Sequence, residues 1–207
     1  MGLLVGVALR AGMLAMLRHV LRASPRDHRF TEKGIAARAV IMVPAAGITF
    51  PALWLAGGSR RAPYPAWPDN LFLSIVALDL AGNVFDLYDR HRHFDLIPHA
   101  HGTGGLTVVA AWLLGIPARQ AIGLATAGHA ALEVQEIVSD VLFGYRNVRG
   151  WWDTAGDLAI GVAGSVVYVA AFERLVRRAG REPASPLARR AMSTASAIPA
   201  SETATKR

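Results

Sequence analysis

The chain has 207 residues, 53% of them hydrophobic and 18% charged, with a formal net charge of +7; an average soluble domain carries roughly 25% charged residues. With a mean hydropathy of +0.31, this composition excludes a chain disordered throughout and argues for an integral membrane protein over a soluble domain. Cysteine is absent, which excludes disulfides, cysteine-ligated zinc, iron–sulfur clusters and thiol nucleophiles together.

The first apolar stretch, residues 3–21, carries Arg10 at its middle and Arg18, His19 and Arg22 at its far end. It reads either as a spanning helix with Arg10 turned into a bundle or as an amphipathic helix lying in the interface. It lacks the early basic region and small-residue cleavage site of a signal peptide. Residues 34–56 form the next stretch and end in a breaker-rich segment containing Gly57, Gly58, Pro63, Pro65 and Pro68. Residues 71–87, 96–116, 121–143 and 155–176 follow; the stretch 96–116 ends at Gly115 and Pro117, and 121–143 is closed by Gly144. Each is close to the ~20 residues that a membrane helix needs.

The expected architecture is therefore all-α: a polytopic transmembrane helix bundle of about six spans with a polar, inward-facing centre, in the cell membrane. Residues 1–22 form an amphipathic or first transmembrane helix, 23–176 the bundle, and 177–207 a basic disordered tail rich in Ala, Ser, Thr and Pro. Most of the net charge sits in that tail, where it suits anionic headgroups of membrane lipid; nucleic acid is not an expected partner, and nothing fixes an oligomeric state. Loops at 22–33, 89–94 and 144–152 hold eight Lys and Arg, against three in loops at 58–68 and 116–119. The positive-inside rule places the first set in the cytoplasm, but the basic tail falls on the opposite side, so charge leaves the orientation open.

Nine of the fifteen carboxylates lie between Asp79 and Asp157, and five of the seven histidines between His91 and His129. An ionised side chain at mid-span costs at least ~2.5–3.5 kcal/mol, so these residues need a protein interior or a watery cavity. His129, Glu133, Glu136 and Asp140 follow one another at helical spacing and share a stripe roughly 60° wide. Asp79, Asn83, Asp86 and Arg90 repeat those offsets on an earlier helix. Asp153 and Asp157 are four apart, with Gly161 and Gly164 continuing that face as small packing residues; Asp95 and His99 are also four apart, across Pro98. Plainer duties exist for some: Asp153 as an N-cap, Trp151 and Trp152 as interfacial anchors, Arg90 as a partner of Asp86.

Histidine and carboxylate ligands on facing helices can build a metal site, and His99, His129, Glu133 and Asp157 are the candidate ligands for a divalent metal. Glu-x-x-His pairs, His-Glu-x-x-His, the nucleophile elbow, the phosphate loop and the dinucleotide fingerprint are all absent. A metal-free site in which a carboxylate acts as acid or base fits the same residues. Glu133, Glu136, Asp153, Asp157, Asp86, Asp95 and His99 are the candidate catalytic residues.

The run Phe85-Asp86-Leu87-Tyr88-Asp89-Arg90-His91-Arg92-His93-Phe94 resembles the Tyr-Asp-Lys-x-x-His-Phe signature of the YjdF-like family of bacterial inner-membrane proteins. Glu133-Val134-Gln135-Glu136 is similar to that family's glutamate-bearing helix, and Trp152-Asp153-Thr154-Ala155-Gly156-Asp157-Leu158 to its closing Trp-Asp-Thr-x-x-Asp helix. In order and spacing these motifs also resemble the wider VanZ-like group. The likeness covers about residues 70–172, with Arg90 standing where the family usually has lysine and extra histidines at 99 and 101. It implies a polytopic membrane protein of uncharacterised activity, with a cell-envelope or lipid-linked role by analogy. Two functions follow: an intramembrane enzyme acting on a lipid or isoprenoid-type small molecule, or a proton- or cation-coupled transporter or ion-binding envelope protein.

Overall fold

The computed structural model describes residues 1–56 and 63–179, and among them every regular element is a helix. Helices α1 (Gly2–Arg22), α3 (Ile35–Ala56), α4 (Ala66–Val84), α6 (Leu96–Leu114), α7 (Ala118–Phe143) and α8 (Trp151–Ala179) are long; α2 (His28–Thr31) and α5 (Leu87–Arg90) are single turns in the loops. The all-α class agrees with the sequence reading. Three helices, Gly2–Arg22, Ile35–Ala56 and Trp151–Leu175, are long and apolar enough to cross a membrane. Their outer faces leave Leu4, Ile41, Ile48 and Val167 exposed, as helices bathed in lipid do. The expected tail at 177–207 lies outside the described residues beyond Ala179.

Helices α1, α3 and α4 pack together around Met13, Ala39, Val43 and Leu73. Arg10 shows why. Its guanidinium makes two hydrogen bonds of 2.9 Å to Asp69 on α4, a carboxylate only 1% exposed. Its Nε donates to the Gly47 carbonyl of α3 at 3.0 Å. Pro51 stands four residues beyond Gly47 inside α3 and has no N–H to give that carbonyl, so Arg10 satisfies a group that the proline leaves free. Tyr64 donates to Asp69 at 2.8 Å from the segment before α4. Arg10 therefore faces α3 and α4, as the spanning reading of the first helix requires.

Among the described residues, helices α6 and α8 share the most extensive contact. A Cβ on Gly104 would lie 2.8 Å from the Gly164 carbonyl oxygen, so glycine on both helices lets the backbones touch. Polar side chains then fix the register: Thr107 meets Ser165 at 2.8 Å. Tyr168 of α8 hydrogen-bonds His101 Nδ1, whose other nitrogen meets Ser74 Oγ of α4 at 2.9 Å. Ser74 donates onward to the Leu71 carbonyl at 2.7 Å, so this chain is satisfied end to end and works as glue between α4, α6 and α8.

The expected continuous stripe Asp79/Asn83/Asp86/Arg90 is interrupted. Helix α4 stops at Val84, and Asp86 adopts a left-handed conformation with φ 60°, one that short polar side chains tolerate better than most. The chain reverses so that Tyr88 and Phe94 stack edge to face, 5.1 Å apart, over Gly82. Asp86 and Arg90 still approach to 3.5 Å, but on a separate turn.

Candidate functional site

Helices α6, α7 and α8 bring His99, His129, Glu133 and Asp157 together at the end of the bundle that carries the 22–34, 85–95 and 144–150 connections. His99 Nδ1 lies 2.8 Å from His129 Nε2, with the two rings stacked at 4.9 Å. Glu133 Oε1 lies 3.4 Å from His129 Nε2 and 3.9 Å from His99 Nδ1. The other nitrogens are spoken for: His99 Nε2 faces Asp95 Oδ1 at 3.3 Å, and His129 Nδ1 meets Thr103 Oγ1 at 2.9 Å. A carboxylate has no proton to give, so it favours the proton on His99 Nε2; a proton on His129 Nδ1 likewise suits Thr103. The two remaining ring nitrogens then point lone pair to lone pair, with a carboxylate oxygen beside them. With those tautomers, three donors converge on one point and could hold a cation; with a proton on either facing nitrogen, the rings hydrogen-bond each other.

The spacing suits one. Ligands bound at about 2.0–2.1 Å in tetrahedral array stand about 3.3–3.4 Å apart, and the three separations here, 2.8, 3.4 and 3.9 Å, bracket that value. Glu133 is 4% and His129 6% exposed. Glu133 is faced by the His129 and His99 rings and the Thr154 hydroxyl, and Asp157 by the His99 ring alone; a buried carboxylate without a full counter-charge costs several kcal/mol. Asp157 Oδ2 approaches His99 Nε2 at 3.7 Å, on the side away from Glu133.

The remaining candidates separate. Glu136 is held by Arg38 of α3 at 2.9 Å. Asp153 is the third residue of α8 rather than its N-cap; it accepts the Arg149 backbone N–H at 3.1 Å and so ties the turn before the helix. Asp140 accepts the backbone N–H groups of Asn147 and Val148, both at 2.9 Å, so the far end of the α7 stripe holds a loop. Asp86 does not line the cleft at all, because the break after Val84 turns it away. Its neighbour Asp79 does, and accepts from Tyr88 at 2.7 Å; burial and that carboxylate push the Tyr88 hydroxyl far above its ordinary pKa, so it stays a donor. Burial pushes the Asp95 carboxyl up, but His99, Arg149 and Lys33 more than offset this and hold it below the ordinary carboxylate range.

The group opens onto a cleft of about 670 Å³, within the usual size of small-molecule sites. Its loop end is charged, with Glu32, Lys33, Asp89, Arg146 and Arg149; farther along α3 and α6 it is lined by Met42, Ala45, Phe72, Ile75 and Leu106. Helix α3 packs on α1 and α4, and α7 on α6 and α8. The two flank the cleft without packing on each other, and the Arg38–Glu136 pair bridges them at the loop end.

Sequence reading passed over Thr103, Arg38 and Tyr88. Thr103 is four residues after His99, on the same helix face, and a threonine there is a visible signal. Arg38 is an arginine near the start of an apolar stretch, the same signal as Arg10. Tyr88 stands out only as the tyrosine of the run that resembles the Tyr-Asp-Lys-x-x-His-Phe signature, and its hydrogen bond to Asp79 depends on the chain reversal. No family model, curated protein or solved structure matches the chain.

Proposed function

We propose that the protein is a multi-pass membrane enzyme of about six spans, in which His99, His129 and Glu133 hold one first-row divalent cation beside a cleft for an amphiphilic substrate. Helices α4, α6 and α7 supply the three further spans, with their polar faces turned towards one another. The observation that carries the reading is the convergence of two imidazole lone pairs and a buried carboxylate whose outer partners, Asp95 and Thr103, orient both rings. Such outer partners are a regular feature of histidine–metal sites. Two histidines and one carboxylate suit zinc or iron(II). When bound, the cation supplies a Lewis acid and an acidified water.

The chain's own residues do the rest. Asp157, buried and faced by the His99 ring alone, is placed to take a proton from a group in the cleft. Arg38 holds Glu136 away from the cation and joins α3 to α7. The apolar lining between those helices suits a hydrocarbon chain, in keeping with a lipid or isoprenoid-type substrate and with the likeness to the YjdF-like and VanZ-like proteins. A transported ion needs ligands that let go, whereas rings locked by Asp95 and Thr103 favour a resident one.

The test is the metal content of protein purified in detergent without chelators. About one equivalent of a first-row metal is expected, falling to a small fraction in His129→Ala and Glu133→Gln while helicity is kept. Absence of metal, together with no thermal shift on adding zinc, manganese or iron(II), would overturn the proposal.

A further inference from the structure

The cleft's charge says what kind of head its ligand carries. Eight carboxylates but only five Lys and Arg line it, and each of the five is already engaged. Lys33 meets Asp89 at 3.2 Å, Arg38 meets Glu136 at 2.9 Å, Arg146 meets Glu32 at 3.8 Å, and Arg149 meets Asp95 at 3.9 Å. Arg29 is clamped by Asp27 through contacts of 2.9 and 2.6 Å. An anionic head entering here finds no unengaged cation and would have to break one of these pairs.

The carboxylates outnumber these cations and have to share them. Asp79 has the neutral Tyr88 hydroxyl as its donor and shares Arg38 with Glu136, Asp153 has only a backbone N–H, and Asp157 has only the His99 ring, at 3.7 Å and shared with Asp95. A divalent cation at the histidines neutralises Glu133 with one charge to spare, which still leaves the cleft negative. In a low-dielectric setting such an excess attracts a positive ligand group strongly. Carboxylates also accept N–H hydrogen bonds, which a primary ammonium can donate and a quaternary one cannot.

The gap between α3 and α7 gives the ligand's other end its place. From the level of Arg38 to Thr49, both lining the cleft, α3 advances about 16 Å at 1.5 Å per residue. Along that length the lining is mainly apolar, with Met42, Ala45, Phe72 and Ile75. We infer that the cleft takes a lipid whose head bears a primary ammonium group, the head lying among Asp79, Asp153 and Asp157 and the chain between α3 and α7. The inference rests on the membrane reading above and deepens it by naming the head chemistry.

A competition decides it. Detergent-purified protein is incubated in mixed micelles holding equal amounts of phosphatidylethanolamine and phosphatidylglycerol with the same acyl chains. Lipid retained through size-exclusion chromatography is counted by mass spectrometry, and metal is measured on the same sample. Phosphatidylethanolamine should be retained about tenfold over phosphatidylglycerol, a difference that a single well-placed ion pair can supply. The pair of substitutions Asp79→Asn and Asp153→Asn should reduce the preference to about twofold or less. Ala45→Trp, at an exposed position lining the trough, should lower retention of both lipids. Equal retention, or a preference for phosphatidylglycerol, by the unaltered protein would overturn the inference whether or not metal is found; a lipid preference without metal would uphold it while removing the metal site.

Discussion

Arg10 combines two needs in one side chain. Its fork neutralises Asp69, and its Nε caps a carbonyl left free by Pro51. Arg10→Leu strands a carboxylate that is 1% exposed, and breaking a buried pair in this way costs about 3–5 kcal/mol. Unfolding in detergent should show that loss, and the double replacement Arg10→Leu with Asp69→Leu should recover much of it. Tyr64, which donates to the same carboxylate, has its hydroxyl pushed up to about 12 by burial and by the Asp69 hydrogen bond. A pKa raised on folding contributes stability that is whole below the ordinary value near 10 and is lost as pH rises through 12. Alkaline unfolding between those values should therefore be steeper than in Tyr64→Phe. Arg10 was conspicuous in the sequence as an arginine within an apolar stretch, but its partner was not. Asp69 sits 59 residues away, just before the apolar run begins, where a carboxylate looks like a loop residue.

At the scale of elements, local spacing was legible and pairing was not. His129 and Glu133 on α7, and Asp95 and His99 around the start of α6, each read as neighbours from a four-residue offset, and they are. That the α6 pair meets the α7 pair through a 2.8 Å contact between rings follows from how α6, α7 and α8 pack, which spacing along one helix cannot give. The break at Asp86 escaped because the left-handed residue there is an aspartate, without the glycine that marks such a turn in sequence. Glycine does mark the packing of α8. A Cβ on Gly161 would fall 2.7 Å from Thr103 Oγ1 and also crowd His129 Nδ1, whereas one on Gly156 meets nothing within 4 Å. Gly161→Ala should displace the hydrogen bond that orients His129 and weaken cation binding about 10–100-fold, the usual effect of disturbing an outer partner. Gly156→Ala, as the control on the same helix, should leave affinity unchanged in a metal titration.

For the whole molecule, three helices of spanning length and apolarity and an outer surface that keeps Ile41, Ile48 and Val167 exposed suit lipid or detergent as solvent. The protein should stay in the membrane fraction through an alkaline carbonate wash and come out only with detergent; recovery as a monodisperse soluble species would contradict this. Within that bundle the polar residues gather at one end, where the 22–34, 85–95 and 144–150 connections can hold them, while Arg10, Asp69 and Tyr64 form a separate knot between α1 and α4. The central claim is that the gathered end binds a metal through His99, His129 and Glu133. X-ray absorption spectroscopy of zinc-loaded protein in detergent tests it most directly. The expected result is a first shell of light atoms at about 2.0–2.1 Å with the multiple-scattering signature of two imidazoles, one of which disappears in His129→Ala; a shell of oxygen alone, unchanged by that substitution, would contradict it.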